Sequence, residues 1–406
     1  MDDRFTTRET GFTLLEMMVS LALGAIVLSA AGQIYIKSVS ATWTVAQRAE
    51  MQQDFRAASN MLTTDLSLAG AGLGSVGIAL PSGTTPKYGC EQNGTCHINF
   101  SGAAGTGTYP LISGTPYLYG LTIGYNKGPT LNGTQGPTDV ITVAYTDPNF
   151  YLNCYTPKVT AKGVVTFSPP TGTNPSGVPN TWATEACLPN NNVTSPQAVN
   201  DSAAGLTAGD LVMMTLGGTP VVAEVTGTVT SAVSGGITTY LVPFANADPL
   251  QMNQTPTNGG LNGAPLGAVG SASAAPCGGA GPCRLLVITY YIDNTTTPAR
   301  LMRQISGHTP MPVVENIAYL KFSYDLFNST TGSPAVNQPN PGSGDANDTA
   351  SNTLLPNQIT KINILNMAMD STQKGTQFGA AGYQRVDLQT SVSTRNLTFT
   401  NNYANN

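Results

Sequence analysis

Residues Met17 to Ile36 run for 20 positions without a charge, MMVSLALGAIVLSAAGQIYI, bounded by Glu16 and Lys37. At 1.5 Å per residue such a run spans the roughly 30 Å hydrocarbon core of a bilayer. It predicts a membrane-spanning helix rather than a buried core helix. Beyond it the apolar positions become periodic. Met51, Phe55, Ala58, Leu62, Leu66 and Ala69 recur at spacings of 4, 3, 4, 4 and 3, one stripe at helical period. Arg48, Glu50, Asp54, Arg56 and Asp65 are expected largely off that stripe. The first proline is Pro81, and proline costs about 3 kcal/mol inside a helix. Residues 13 to about 69 are therefore expected to form one helix about 85 Å long, with Gly24 and Gly32 as weak points that a membrane tolerates. Gly70-Ala71-Gly72 supplies the stop, where glycine can take the left-handed cap conformation.

From Leu73 onward the pattern changes to short β-type runs punctuated by Gly, Pro, Asn and Thr. The clearest expected strands are Asp139–Tyr145, Asp210–Leu216, Val221–Val225, Leu285–Ile292, Ile317–Tyr324, Ile359–Leu365 and Val386–Phe399, the last broken. Gln251–Cys283 and Asn328–Asn352 are rich in small and polar residues and read as loop-like insertions. No internal repeat at solenoid or propeller period is evident.

Composition narrows the function classes. Charged residues are 10% of the 406, against about 25% in an ordinary soluble domain. A net charge of -5, with no Lys or Arg between Lys162 and Arg284, excludes a basic nucleic-acid groove there. Two histidines leave little room for histidine catalysis or a multi-His metal site. The six cysteines, Cys90, Cys96, Cys154, Cys187, Cys277 and Cys283, all lie in the loop-rich part. An even count fits disulfides in an oxidising compartment. Nearest-neighbour pairing would join Cys90 to Cys96, Cys154 to Cys187 and Cys277 to Cys283, one of about 15 possible pairings. Zinc is the rival reading, but C-x5-C misses its usual two-to-four-residue spacing.

Residues Gly11–Ser20, GFTLLEMMVS, follow the polar leader MDDRFTTRET and continue into the apolar run. A secretory signal peptide would be cleaved after its apolar region; here the apolar segment runs straight into an amphipathic helix and is expected to be retained. The stretch resembles the class III signal of type IV pilin-like proteins. The resemblance implies that a membrane-embedded prepilin peptidase cuts after Gly11 and methylates the new N-terminal residue, Phe12. It also implies that Glu16, fifth in the mature chain, pairs with the N-terminus of a neighbouring subunit during assembly. Glu16 suits that place physically, because a first-turn anion is favoured by the helix dipole. The leader departs from the usual net basic character, with Asp2, Asp3 and Glu9 against Arg4 and Arg8.

Further pieces resemble PilW-like minor pilins: Asp65, Leu66, Ala69 and Gly70 at the helix end; Ala208-Gly209-Asp210-Leu211-Val212; Tyr290-Tyr291-Ile292; Leu301-Met302-Arg303; Val313–Tyr324; and Val392–Leu397. The family implies an α+β pilin fold, a long N-terminal helix packed on an antiparallel β-sheet. The expected organisation is a leader over 1–11, a transmembrane or filament-core helix over 12–36, an amphipathic helix over 37–72 and a β-rich periplasmic or extracellular body over 73–406, with insertions at 251–283 and 328–352.

Other motifs are weaker. Gly72–Gly77 matches G-x-G-x-x-G but follows a helix instead of a strand, which a dinucleotide site does not. Asp345, Asn347 and Asp348 lack the glutamate of an EF-hand loop. His97 and His308 lie in polar contexts without a nearby Ser or Cys nucleophile, and Glu315 reads as a solvated strand start. The N-x-S/T triplets at Asn93, Asn132, Asn192 and Asn294 follow from an Asn/Thr-rich composition. The expectation is a non-enzymatic minor pilin without cofactor or metal, anchored in a bacterial inner membrane and later at the pilus or cell surface. Its expected partners are prepilin peptidase, major and minor pilins, the inner-membrane assembly machinery and, before assembly, membrane lipid; nucleic acid is not among them. The rival readings are a type II secretion pseudopilin and an adhesin module on a pilin anchor.

Overall fold

The structure, a computed structural model, describes residues 11–73, 77–100, 103–105, 107–131, 136–150, 152–169, 197–216, 218–262, 269–270, 282–328, 333–340, 356–371 and 382–397. One helix covers Leu14–Ser67 without a break, about 81 Å of helix. Gly70 and Gly72 follow it at φ 79° and 72°. The chain divides into two compact units, residues 1–54 with 371–384, and residues 55–370 with 385–406.

The second unit is an antiparallel β body carrying the last turns of the helix. Its centre is the strand Cys283–Asp293. Along one edge this strand pairs with Val140–Thr146, from Leu285 opposite Thr146 to Tyr290 opposite Ile141. Along the other edge it meets Leu211–Leu216 near its start and Arg300–Ile305 near its end. Thr219–Glu224, Met311–Glu315 and Leu121–Gly124 extend the sheet to eight strands with Val269–Gly270. Leu211 and Met213 join one hydrophobic cluster while Val212 and Met214 join another. This strand is thus covered on both faces, which is why its sequence is continuously apolar. All seven expected strands form. The last one, Arg385–Ser393, is broken at Thr394 by a short helical turn over 395–397.

Two further four-stranded sheets, a three-stranded sheet and two two-stranded ones make up the rest of the described strands. One four-stranded sheet runs Thr156–Ala161, Val164–Ser168, Ile237–Pro243, Thr230–Ser234; the other runs Ser333–Gln338, Ile317–Asn328, Ile359–Asp370, Arg385–Ser393. Ser333–Gln338 lies within 328–352, expected as loop, and pairs with Ile317–Asn328. Gln251–Leu261 contains no strand, yet it buries Met252, Asn253 and Leu261. Residues 263–268, 271–281, 329–332 and 341–352 of the two expected insertions lie outside the described residues.

All six residues of the helical stripe are buried. Asp65 is buried with them, at 5% exposure, and the expectation that it lies off the stripe is wrong. It sits three residues after Leu62 and four before Ala69, on the same face. Its carboxylate accepts hydrogen bonds from Tyr290 Oη at 2.6 Å, Tyr145 Oη at 3.2 Å and Arg303 Nε at 2.8 Å. These donors stand on three adjacent strands, so one carboxylate ties the helix to the centre of the sheet. Burial raises the pKa of both phenols, and the neighbouring Asp65 charge raises them further, which keeps them protonated donors. Past the helix, Gly70 N donates to Ala144 O and Thr146 N to Ala71 O, both at 2.9 Å. A Cβ at Gly120 would stand 2.4 Å from Gly70 Cα, so this crossing requires glycine.

Two other carboxylates organise the body. Asp139 accepts from Lys321 Nζ at 2.6 Å, Asn126 N at 2.8 Å and Phe322 N at 3.0 Å, joining the central sheet to the C-terminal one. Glu224, fully buried, lies beside Asp248 and accepts from Leu250 N at 3.1 Å. Burial, then the Asp248 carboxylate, pushes Glu224 well above the ordinary carboxyl value of 4.5.

Two outcomes follow for the full-length protein in detergent. Removing the Asp65 charge strands a half-buried guanidinium, so Asp65→Asn is expected to cost about 3 kcal/mol of unfolding free energy. Replacing Asp65 and Arg303 together by Leu is expected to recover most of it; chemical denaturation of wild type, Asp65→Asn and the double Leu variant measures both. Glu224 has a raised folded pKa, so its contribution is complete below the unfolded value and is lost as pH rises toward the folded one. Wild-type stability should fall between roughly pH 5 and 8 by up to about 1.4 kcal/mol per unit, and Glu224→Gln should flatten that slope in melts across the range.

Candidate functional site: the N-terminal helix start

Gly11, Phe12 and Thr13 precede the helix in non-helical conformation, and the helix begins at Leu14. Four residues, Thr13-Leu14-Leu15-Glu16, set that boundary. Glu16 N donates to Thr13 Oγ1 at 3.3 Å, while Glu16 Oε2 accepts from Thr13 N at 3.0 Å and Thr13 Oγ1 at 2.9 Å. This is a reciprocal capping box, which satisfies two donors that a helix start otherwise leaves open. The T-x-x-E spacing before an apolar run is its signal, and the sequence reading above did not use it. Glu16 Oε1 makes no hydrogen bond among the described residues.

Phe12 is 86% exposed, and the large apolar side chains from Leu14 to Ile36 are exposed around the whole helix circumference. No built space limits Gly11. The helix is long and apolar enough to cross a membrane. Within it, Ser20 Oγ donates to Glu16 O at 2.8 Å, so this hydroxyl is satisfied by its own helix. Unpartnered apolar surface on this scale belongs in lipid or against other helices. The leader residues 1–10 lie outside the described residues.

The remaining candidates are dispersed through the body. Cys90 and Cys96 form a disulfide with an S–S distance of 2.09 Å. Cys154 and Cys283 are also disulfide-bonded; Cys187 and Cys277 lie outside the described residues, as do Asp345, Asn347 and Asp348. Each histidine faces a carboxylate: His97 Nε2 is 2.6 Å from Glu91 Oε1, and His308 Nε2 is 2.9 Å from Asp210 Oδ1. Glu91 also accepts from Thr309 Oγ1 at 2.7 Å. Glu315 is exposed and pairs with Arg300 at 3.0 Å. Gly72 lies in the turn that follows the helix, and residues 74–76 of the glycine motif are outside the described residues. Among the described residues, no group of three or more His, Cys, Asp or Glu could hold a metal.

Residues 6–32 match the family model described as "Prokaryotic N-terminal methylation motif". No curated protein and no solved structure matches the chain. The chain carries a class III prepilin-type signal, shared by type IV pilin-like proteins and pseudopilins. Such a signal implies processing by prepilin peptidase and handling by pilin assembly machinery in general. Signal and apolar helix together fit membrane anchoring.

The cap predicts a local effect. Thr13→Ala removes both hydroxyl contacts and is expected to cost about 1 kcal/mol at the helix start. Amide hydrogen exchange of Leu14 to Met17 in micelles should accelerate about fivefold, and unchanged exchange would mean that the box contributes nothing.

Proposed function

We propose that this chain is a non-enzymatic minor subunit of a type IV pilus, of the PilW-like kind. It is held in the inner membrane by its apolar helix, with the β body in the periplasm. The observation that carries the reading is the continuity of the methylation motif over residues 6–32 with an uninterrupted helix whose apolar half has no intramolecular cover. Prepilin peptidase removes Met1–Gly11 and methylates Phe12. The exposed, non-helical Gly11–Phe12 junction supports this, since a peptide bond just before a capped helix can enter a protease site without unwinding it.

Cleavage leaves Phe12 with an ammonium group beside the helix start. Glu16 commits Oε2 to Thr13 and leaves Oε1 open. The open oxygen then accepts the N-terminal ammonium of a neighbouring subunit once water is excluded. In the filament, helix contacts replace lipid contacts, and Ala22, Gly24, Ala25, Ser29, Ala30 and Gly32 allow close approach. In a chain of 406 residues the body over 73–406 is bulky for a repeating subunit, which favours a priming role or a position near the tip.

Mass spectrometry of sheared, purified surface filaments tests the reading. The expected result is a peptide beginning at N-methylated Phe12 together with a major pilin. A processed form confined to membranes would instead assign the chain to a secretion pseudopilus, which shares this N-terminus. A membrane form still beginning before Gly11 would overturn the pilin reading altogether.

A further inference from the structure

The β body contains a cleft of about 640 Å³, within the usual range of small-ligand sites. It lies between the segment around Lys87, the Cys90–Cys96 loop and the strandless stretch 246–258. Its wall holds no aromatic and no branched aliphatic side chain, so an apolar ligand gains little there. What it presents is polar. Lys87 is half-buried and has no carboxylate within ion-pair reach among the described residues. By contrast, the half-buried Lys321, Arg284 and Arg303 each face an Asp. A lysine in the wall of a cleft with no carboxylate in ion-pair reach leaves its ammonium open to an anionic ligand. The side-chain amides of Gln251 and Asn258 also line the cleft and make no hydrogen bond among the described residues. Asn246 uses only its carbonyl oxygen, accepting from Ala247 N at 2.9 Å.

The cleft is held rigid. Gln254 Oε1 accepts from Thr84 N at 3.0 Å, while its amino group donates to Thr84 O at 3.3 Å and Gln251 O at 2.8 Å. Asp248, on the floor, accepts from Met252 N at 2.7 Å and Asn253 N at 2.8 Å, so its carboxylate is already occupied on both oxygens. Ala247 and Gln251 on either side of it have φ of 66° and 58°, left-handed values that cost non-glycine residues energy and collect where a binding loop must be fixed. A wall fixed in advance loses little freedom on binding.

We propose that this cleft binds an acidic saccharide, its carboxylate on Lys87 and its hydroxyls on the amides of Gln251, Asn258 and Asn246. One cation among several neutral amides matches a ligand with one charge and many hydroxyls. The site is independent of N-terminal processing, so it stands or fails apart from the pilin reading.

The test uses the full-length protein in a zwitterionic detergent without sugar headgroups, with glucuronate, glucose and acetate as probes in ligand-observed NMR titrations. Glucuronate is expected to saturate with Kd about 1 mM, and glucose and acetate to bind about tenfold more weakly. Lys87→Gln should weaken glucuronate about tenfold, to the level of glucose, and Asn258→Ala about threefold. Lys158→Gln, an exposed lysine outside the cleft, should change nothing, and matched melting temperatures verify folding of all variants. Absence of saturable glucuronate binding up to about 50 mM, or unchanged binding in Lys87→Gln, overturns the site. Acetate binding as tightly as glucuronate overturns the saccharide assignment by showing that only the charge is read.

Discussion

The register of the helix on the β body is set by a single buried carboxylate. Asp65 sits in an apolar stripe where an unpaired charge would be prohibitively expensive, and it is tolerated because three strands each supply a donor: Tyr145, Tyr290 and Arg303. The requirement works in both directions. The guanidinium of Arg303 also needs its counter-charge, so neither helix nor sheet is electrostatically complete without the other. Hydrophobic contact along Phe55, Ala58, Leu62 and Leu66 could tolerate a slip by one helical turn. A carboxylate that must meet three fixed donors cannot, and so it fixes the register. The backbone bonds from Gly70 and Ala71 to the strand Val140–Thr146 extend the same alignment past the helix end.

One uninterrupted helix thus meets two kinds of surroundings. Its last turns follow the ordinary rule of a surface helix, with one apolar face covered and charges at Arg48, Glu50, Asp54 and Arg56 exposed. Its first six turns have no polar face at all, and their side chains are exposed all round. Water is a poor solvent for that half, whereas lipid or a bundle of like helices satisfies it. Ser20 shows the same adaptation on the scale of one hydroxyl, by bonding to the backbone carbonyl of Glu16. The small residues between Ala22 and Gly32 weaken an isolated helix in water but favour close helix contact in an apolar medium.

Much of this organisation was legible because it rests on periodicity and on punctuation. The absence of proline before Pro81 and the spacing from Met51 to Ala69 specify the helix, and the runs around residues 140, 212, 288, 320 and 362 specify the main strands. The structure reverses the expectation for Asp65 because a charged residue is assigned to solvent by default, and its partners stand 80 or more positions away. The hairpins Thr156–Ser168 and Thr230–Pro243 were missed because short Thr-, Ser- and Gly-rich strands carry little alternation. Gln251–Leu261 read as an insertion because its order comes from amide bonds and from Asp248, neither of which leaves a hydrophobic pattern. At the N-terminus, the motif was legible as a resemblance, while the capping box that gives Thr13 and Glu16 their geometry was missed although its T-x-x-E spacing signals it.

The acidic residues show a common economy that gives Glu16 its meaning. In a chain with 10% charged residues, Asp65, Asp139, Asp210 and Asp248 serve as internal fasteners, and each has both carboxylate oxygens engaged by donors within the fold. Glu16 uses similar chemistry at the helix start but engages only Oε2. In water its second oxygen needs no protein partner. In an apolar layer the remaining lone pairs become costly unless a cation or donor arrives. The cap also fixes where the open oxygen points. Glu16 is therefore the one carboxylate among these with an oxygen left open among the described residues, and in the filament proposed above that oxygen is the one a neighbouring subunit would complete.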